Sequence, residues 1–231
     1  MKNSFKVLVL ISILFFSIQA QAQLKFGVRA GVNLADMAIE GMNGMTEKMI
    51  TSFHLGPVAE YSLSEKLSLE SGLLLSGKGK KVEYNESDQG ITLGVKATIS
   101  PIYLEIPVNA LYKYNVKSGK VLLFAGPYFA FGVAGKTKTE FTASGLPSGM
   151  TLSSLGLTDE TKNIKFGTKS DSDMKGTDFG LNFGAGFEKN NYQIRVQYGL
   201  GLSNLDPQGS STNEMKNRVI GISLGYLFGG K

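Results

Sequence analysis

The sequence predicts an all-β fold: an eight-stranded antiparallel up-and-down transmembrane β-barrel with short periplasmic turns and long extracellular loops. Three observations carry that expectation. Seven of eight strand-like segments alternate apolar and polar residues with period two, and the connections between the eight alternate long and short along the chain. Beyond the N-terminal leader, no segment reaches the roughly 18 continuous apolar residues of a membrane-spanning helix.

Composition and the leader bound the rest. The 231 residues include no Cys, no Trp, one His and 29 Gly, enough chain for one barrel-sized domain. Met1 to Lys6 carry two lysines and no acid, Val7 to Ile18 form an apolar stretch of 12 residues, and Ala20, Gln21 and Ala22 read A-x-A. This is the pattern of a secretory signal peptide over residues 1–22, leaving residues 23–231 as the barrel domain. The stretch is shorter than the roughly 20 residues a spanning helix needs. Without cysteine there is nothing to acylate. Losing Lys2 and Lys6 leaves 22 basic against 19 acidic residues, a net of +3, which is too weak a balance to argue for nucleic acid.

The first segment sets Leu24, Phe26, Val28, Ala30, Val32 and Leu34 against Lys25, Gly27, Arg29, Gly31 and Asn33. A helix would smear these two sets round its circumference; a strand keeps them on opposite faces. The second, Thr51 to Ser62, opposes Phe53, Leu55, Pro57, Ala59 and Tyr61 to His54, Gly56, Val58 and Glu60. The third, Leu67 to Lys78, opposes leucines 67, 69, 73 and 75 to Ser68, Glu70, Gly72, Ser76 and Lys78. In the fourth, Ile102 to Tyr114, Tyr103, Glu105, Asn109 and Lys113 share the polar face. The fifth, Val121 to Ala134, is apolar on both faces and carries no facing information.

Thr177 to Glu188 restores the pattern, with Phe179, Leu181, Phe183, Ala185 and Phe187 against Asp178, Asn182, Glu188 and three glycines. Tyr192 to Ser203 and Asn217 to Phe228 complete the set. The connections near 64–66, 115–120 and 189–191 are short, whereas 35–50, 79–100, 135–176 and 204–216 are long. That asymmetry is the one outer-membrane barrels show between their two ends.

The faces separate this reading from a soluble, lipocalin-like barrel, whose bulky apolar face would turn inward. Here one face is nearly all Leu, Ile, Val, Phe and Tyr, and the other is about half glycine with isolated charges. Hydrocarbon suits the first and a narrow lumen the second. Phe26, Tyr61, Tyr112, Tyr114, Tyr192, Tyr226 and Phe228 fall at strand ends beside short turns or termini, where an aromatic girdle lies.

Arg29, Glu60, Glu70, Glu105, Lys113, Asp178, Glu188 and Arg195 are therefore expected to point into the lumen as a charge network. They line a solute path or form a salt-bridge plug; eight strands leave room for side chains and little water, which favours the plug. No catalytic, cofactor or metal site is expected. His54 with Ser52 or a loop serine and Glu60 sketches an acyl hydrolase, but no nucleophile motif accompanies them. The glycines between Gly180 and Gly186 lack the following helix of a phosphate loop. Asp171, Asp173 and Asp178 are too few ligands for a recognised calcium loop. The 135–176 connection, rich in Thr, Ser, Gly and Lys, is the expected surface for a protein partner.

Several stretches resemble the PorT-like outer membrane β-barrel proteins of Gram-negative bacteria: KFGVRAGVNLADM from Lys25, YLEIPVNALYKY from Tyr103, FAGPYFAFGV from Phe124, DFGLNFGAGFE from Asp178, YGLGLSNL from Tyr198 and ISLGYLF from Ile222. Together they cover nearly the whole mature chain. The resemblance implies an eight-stranded outer-membrane barrel, contact with outer-membrane lipid, and insertion by the outer-membrane assembly machinery with Phe228 as its terminal aromatic signal. Gly229, Gly230 and Lys231 follow that phenylalanine, a departure from the pattern. The resemblance further implies an accessory role in protein secretion or solute transport, as an alternative to a purely structural or interaction role.

Overall fold

The structure is a computed structural model that describes residues 23–39, 44–169, 171–209 and 214–229. The expected signal peptide lies outside the described residues. Among the described residues, twelve strands form one antiparallel sheet: β1 (Leu24–Ile39), β2 (Thr46–Lys48), β3 (Ile50–Ser62), β4 (Leu67–Gly72), β5 (Leu74–Gly77), β6 (Lys80–Asp88), β7 (Ile91–Val116), β8 (Gly119–Ser144), β9 (Glu160–Asn163), β10 (Thr177–Lys189), β11 (Tyr192–Gly201) and β12 (Met215–Phe228).

The sheet closes on itself. β1 pairs with β3 on one side and with β12 on the other, and β4 and β5 in succession bridge β3 to β7. From there the ladder runs through β8, β10 and β11 back to β12. Counting β4, β5 and their continuation β6 as one wall position, the ring holds eight. Closure leaves no unpaired edge at membrane depth, which hydrocarbon demands of any spanning sheet.

The walls sort by parity. Phe26, Leu55, Leu69, Leu123, Phe179, Ile194 and Leu224 are exposed on the outside, while Arg29, Glu70, Glu105, Arg195 and Ser223 are buried inside. Around the end with the short turns, Tyr192 and Tyr226 meet at a tilt with centroids 4.9 Å apart, and Tyr226 meets Phe228 edge-on at 5.1 Å. Glycines on the inner face make room for large neighbours. A Cβ at Gly31 would stand 2.4 Å from His54 Cε1, and one at Gly180 would stand 2.7 Å from the Tyr128 ring.

Three of the four long connections contain strands of their own, with 35–50 holding the outer end of β1 and all of β2. Residues 79–100 are mostly β6 and the outer half of β7, joined by a turn at Gln89 and Gly90 with φ of 46° and 82°. Positive φ at both central residues matches the natural twist of a hairpin. β8 runs on to Ser144, so residues 135–176 begin as strand and also contain β9. β7 and β8 are 26 residues each, roughly 85 Å of strand at the usual rise. An apolar band is only about 25 Å tall. The excess forms a five-stranded blade, β2-β6-β7-β8-β9, rising beyond the membrane on the side of the long connections. A register shift at Ile102/Tyr103 marks where barrel wall becomes blade.

Candidate functional site: the barrel interior and its mouth

The interior is built in layers, because strands from all round the ring deliver polar side chains at matched heights. Nearest the short turns, Lys113 Nζ lies 2.6 Å from Glu60 Oε1 and 2.8 Å from Glu188 Oε2. Gln193 donates to the same Glu188 oxygen at 2.7 Å. Lys120 at the rim approaches Glu188 at 3.7 Å. Below this layer, Lys25, Ser62, Ser64, Ser68 and Lys120 line a vestibule of about 310 Å³ floored by Glu60 and Lys113.

The next layer is a double fork. Arg29 Nη1 and Nη2 donate to Glu70 Oε1 and Oε2 at 3.0 and 2.6 Å, and Arg195 does the same at 3.0 and 2.7 Å. Planar guanidinium groups suit such bidentate contacts. Arg195 also lies 5.0 Å above the Phe124 ring and donates to Gln193 Oε1 at 2.7 Å. One carboxylate on β4 thus fixes both β1, two wall positions away, and β11, across the ring.

Above it, His54 Nδ1 meets Asn33 Oδ1 at 2.7 Å, and Asn33 Nδ2 donates to the carbonyls of Phe53 and Gly77, each at 3.0 Å. Higher still, Lys78 Nζ sits 2.8 Å from Glu105 and 3.0 Å from Asp178, 4.1 Å from the centre of the Tyr128 ring. Ser203 and Asn217 donate to Asp178 at 2.7 and 2.8 Å.

All eight charges singled out from the sequence are thus buried inside, in three of these layers. Parity left their partners unspecified. Lys78 shares that polar face and is what holds Glu105 and Asp178 together, a role its parity alone does not assign. Lys80, fully buried and reaching Glu47 at 2.5 Å and Asp36 at 3.3 Å, lies beyond the Leu67 to Lys78 alternation that the sequence shows. Its signal was the parity shared with Glu70, Ser76 and Lys78. The network's Arg29, Arg195, Lys78 and Lys113 face five carboxylates, and the rim Lys120 makes five cations.

The mouth is closed by apolar side chains. Met37, Ile164, Met174 and Leu205 form a buried cluster against which Ile39, Ile99, Phe166 and Met215 pack. Phe166 meets Tyr103 edge-on at 5.9 Å and fills the space over Gly132, where a Cβ would lie 2.5 Å from its ring. The backbone ties this plug to the barrel through Ile164 N to Gly135 O at 3.0 Å and Lys175 N to Leu205 O at 2.8 Å.

The other constellations read from the sequence do not assemble. Glu60 is engaged by Lys113, two layers from His54, and His54 Nε2 has no side-chain partner among the described residues. Asp178 belongs to the Lys78 layer, whereas Asp173 accepts from Lys165 N at 2.8 Å. Among the described residues, no three His, Cys, Asp or Glu side chains gather as a metal site.

Residues 19–207 match the family described as outer membrane protein beta-barrel domain. The chain belongs to that family. It is an integral β-barrel protein of the outer membrane. The outer-membrane barrel is similar to several solved structures. Ail, the attachment invasion locus protein of Yersinia pestis, is 15% identical, with 89% of this chain and 99% of that chain covered and a TM-score of 0.41. OprG of Pseudomonas aeruginosa is 16% identical, covering 90% and 96% with a TM-score of 0.37. Neisserial surface protein A is 12% identical, covering 87% and 96% with a TM-score of 0.34. No curated protein matches the chain.

Proposed function

We propose that this outer-membrane barrel is a non-enzymatic structural or interaction protein whose blade and long connections are its contact surface. The observation that carries the reading is the filled interior. Paired charges occupy successive layers and an apolar plug closes the mouth, so the barrel's working surface is what stands outside it. A five-stranded blade raised beyond the membrane supports a contact role.

Planar-bilayer recording tests the filled interior: the reading expects no steady conductance, and a stable open channel overturns it. Capture of surface partners with the intact chain and with residues 145–159 removed tests the contact role. Identical capture by both counts against that segment as the contact.

A second reading, a PorT-like accessory of protein secretion inserted by the outer-membrane assembly machinery in a Gram-negative cell, rests on the six segments quoted above. It expects loss of secreted cargo when the gene is deleted. Unchanged secretion removes it.

A further inference from the structure

The blade has two unlike faces. Val82, Tyr84, Leu93, Val95, Ile99 and Phe141 lie on the side that overlooks the mouth, as the register with Ile99 shows. The opposite side continues the lipid-facing wall. Ile102 and Ala134 are paired at the top of that wall, and the next outward pair is Ser100 with Lys136, which is also paired with Asn163. The row after that crosses all five strands: Lys48, Lys81, Thr98, Lys138 and Thr161 are successive register partners. These two rows hold four lysines, four hydroxyl or amide side chains and no carboxylate.

The acids come one row later. Glu83, Lys96 and Glu140 are register partners there, and the two glutamates hold lysines from their far side: Lys48 to Glu83 at 2.5 Å, Lys81 to Glu83 at 3.2 Å and Lys138 to Glu140 at 2.8 Å. Both anions therefore stand away from the membrane, in a row they share with Lys96, which lies 3.3 Å from Glu140, and the four other lysines stand on the membrane side of them.

Height identifies the occupant. Two residues of strand rise about 6.6 Å, or roughly 5 Å at the tilt of a barrel strand. The two lysine rows thus stand about 5 and 10 Å above the end of the hydrocarbon wall. The polar headgroup layer is about 5 to 7 Å thick on each side of a bilayer, and a lysine stem lets its ammonium reach down to it.

We propose that the outward face of the blade, centred on Lys81, Lys136 and Lys138, binds the phosphate groups of outer-leaflet lipids. Charge complementarity and continuity with the lipid-facing wall both point to that occupant. The hydroxyls of Thr98 and Ser100 add donors to phosphate oxygens between the lysines. Lipid bound there ties the blade to the membrane surface along one side and leaves its apolar face turned over the mouth.

The test uses the full folded chain, reconstituted in phosphatidylcholine vesicles with and without phosphatidic acid, and reads lipid retained on the protein after detergent extraction by native mass spectrometry. The expected result is selective retention of phosphatidic acid, weakened about fivefold for each lysine replaced among K81Q, K136Q and K138Q. K162Q, on the opposite face of the blade, is expected to change nothing. Equal loss from K162Q overturns the proposal in favour of a bulk charge effect. Tight binding of inorganic phosphate alone, in detergent, overturns it in favour of a free-anion site. If the triple variant does not fold, E83Q/E140Q decides: retention rises when the glutamates stop competing for the lysines, and no rise sinks the assignment.

Discussion

Glu70 has the most at stake of any side chain in the molecule. It is fully buried between two arginines and accepts four charge-assisted hydrogen bonds. Burying three ions costs free energy that only complete pairing offsets. Glu70→Gln leaves two guanidinium groups facing each other in a dry interior, and a loss of about 3–5 kcal/mol is expected. Arg29→Met keeps the Arg195 fork and is expected to cost less. The midpoints of urea unfolding from lipid vesicles give the order, and equal losses would mean that the two forks are not independent supports. Parity placed Arg29, Glu70 and Arg195 on one face, because that is a property of each strand alone. Their pairing was illegible, since the partners are 41 and 125 residues apart and nothing local sets the angle of a closed ring.

The plug and the blade lie where the sequence predicts long connections. Residues 80–100 do alternate, with Val82, Val95, Ala97 and Ile99 against Lys81, Lys96, Thr98 and Ser100. Pro101 and the small Ala, Ser and Thr side chains made the contrast faint. Only the positive-φ turn at Gln89–Gly90 marks the hairpin locally. The plug had no periodic signal at all, since Ile164, Phe166 and Met174 take their places from contacts with β1, β7 and β8. It is held by one apolar cluster and a handful of backbone bonds, so it should open separately from the barrel. Met174→Asp puts a charge into that cluster. Protease added outside intact vesicles is expected to cut between residues 164 and 175, while the protein keeps the heat-modifiable gel mobility of a folded barrel. Loss of that mobility would make the plug part of the barrel's own cooperative unit.

Across the whole molecule, one strand parity serves two solvents. On β7 the even positions face outward throughout, yet they are Ile102 and Leu104 beside the bilayer and Ser100, Thr98 and Lys96 above it. The apolar set changes sides where hydrocarbon gives way to water, because burial means facing lipid in the first region and facing the mouth in the second. The same chemical change should therefore have unequal consequences on the two sides of that boundary. Ile222, exposed halfway along β12, is surrounded by acyl chains, and Ile222→Arg is expected to cost about 2–4 kcal/mol. Thr142→Arg, beyond the lysine rows, places the same side chain on the same outward face but in water, and a change within about 0.5 kcal/mol is expected. Urea titration of both variants refolded into vesicles measures the difference. In a water-soluble barrel both sites would be ordinary surface and the two substitutions would be equally mild, so equal midpoints would contradict the placement of the wall in hydrocarbon.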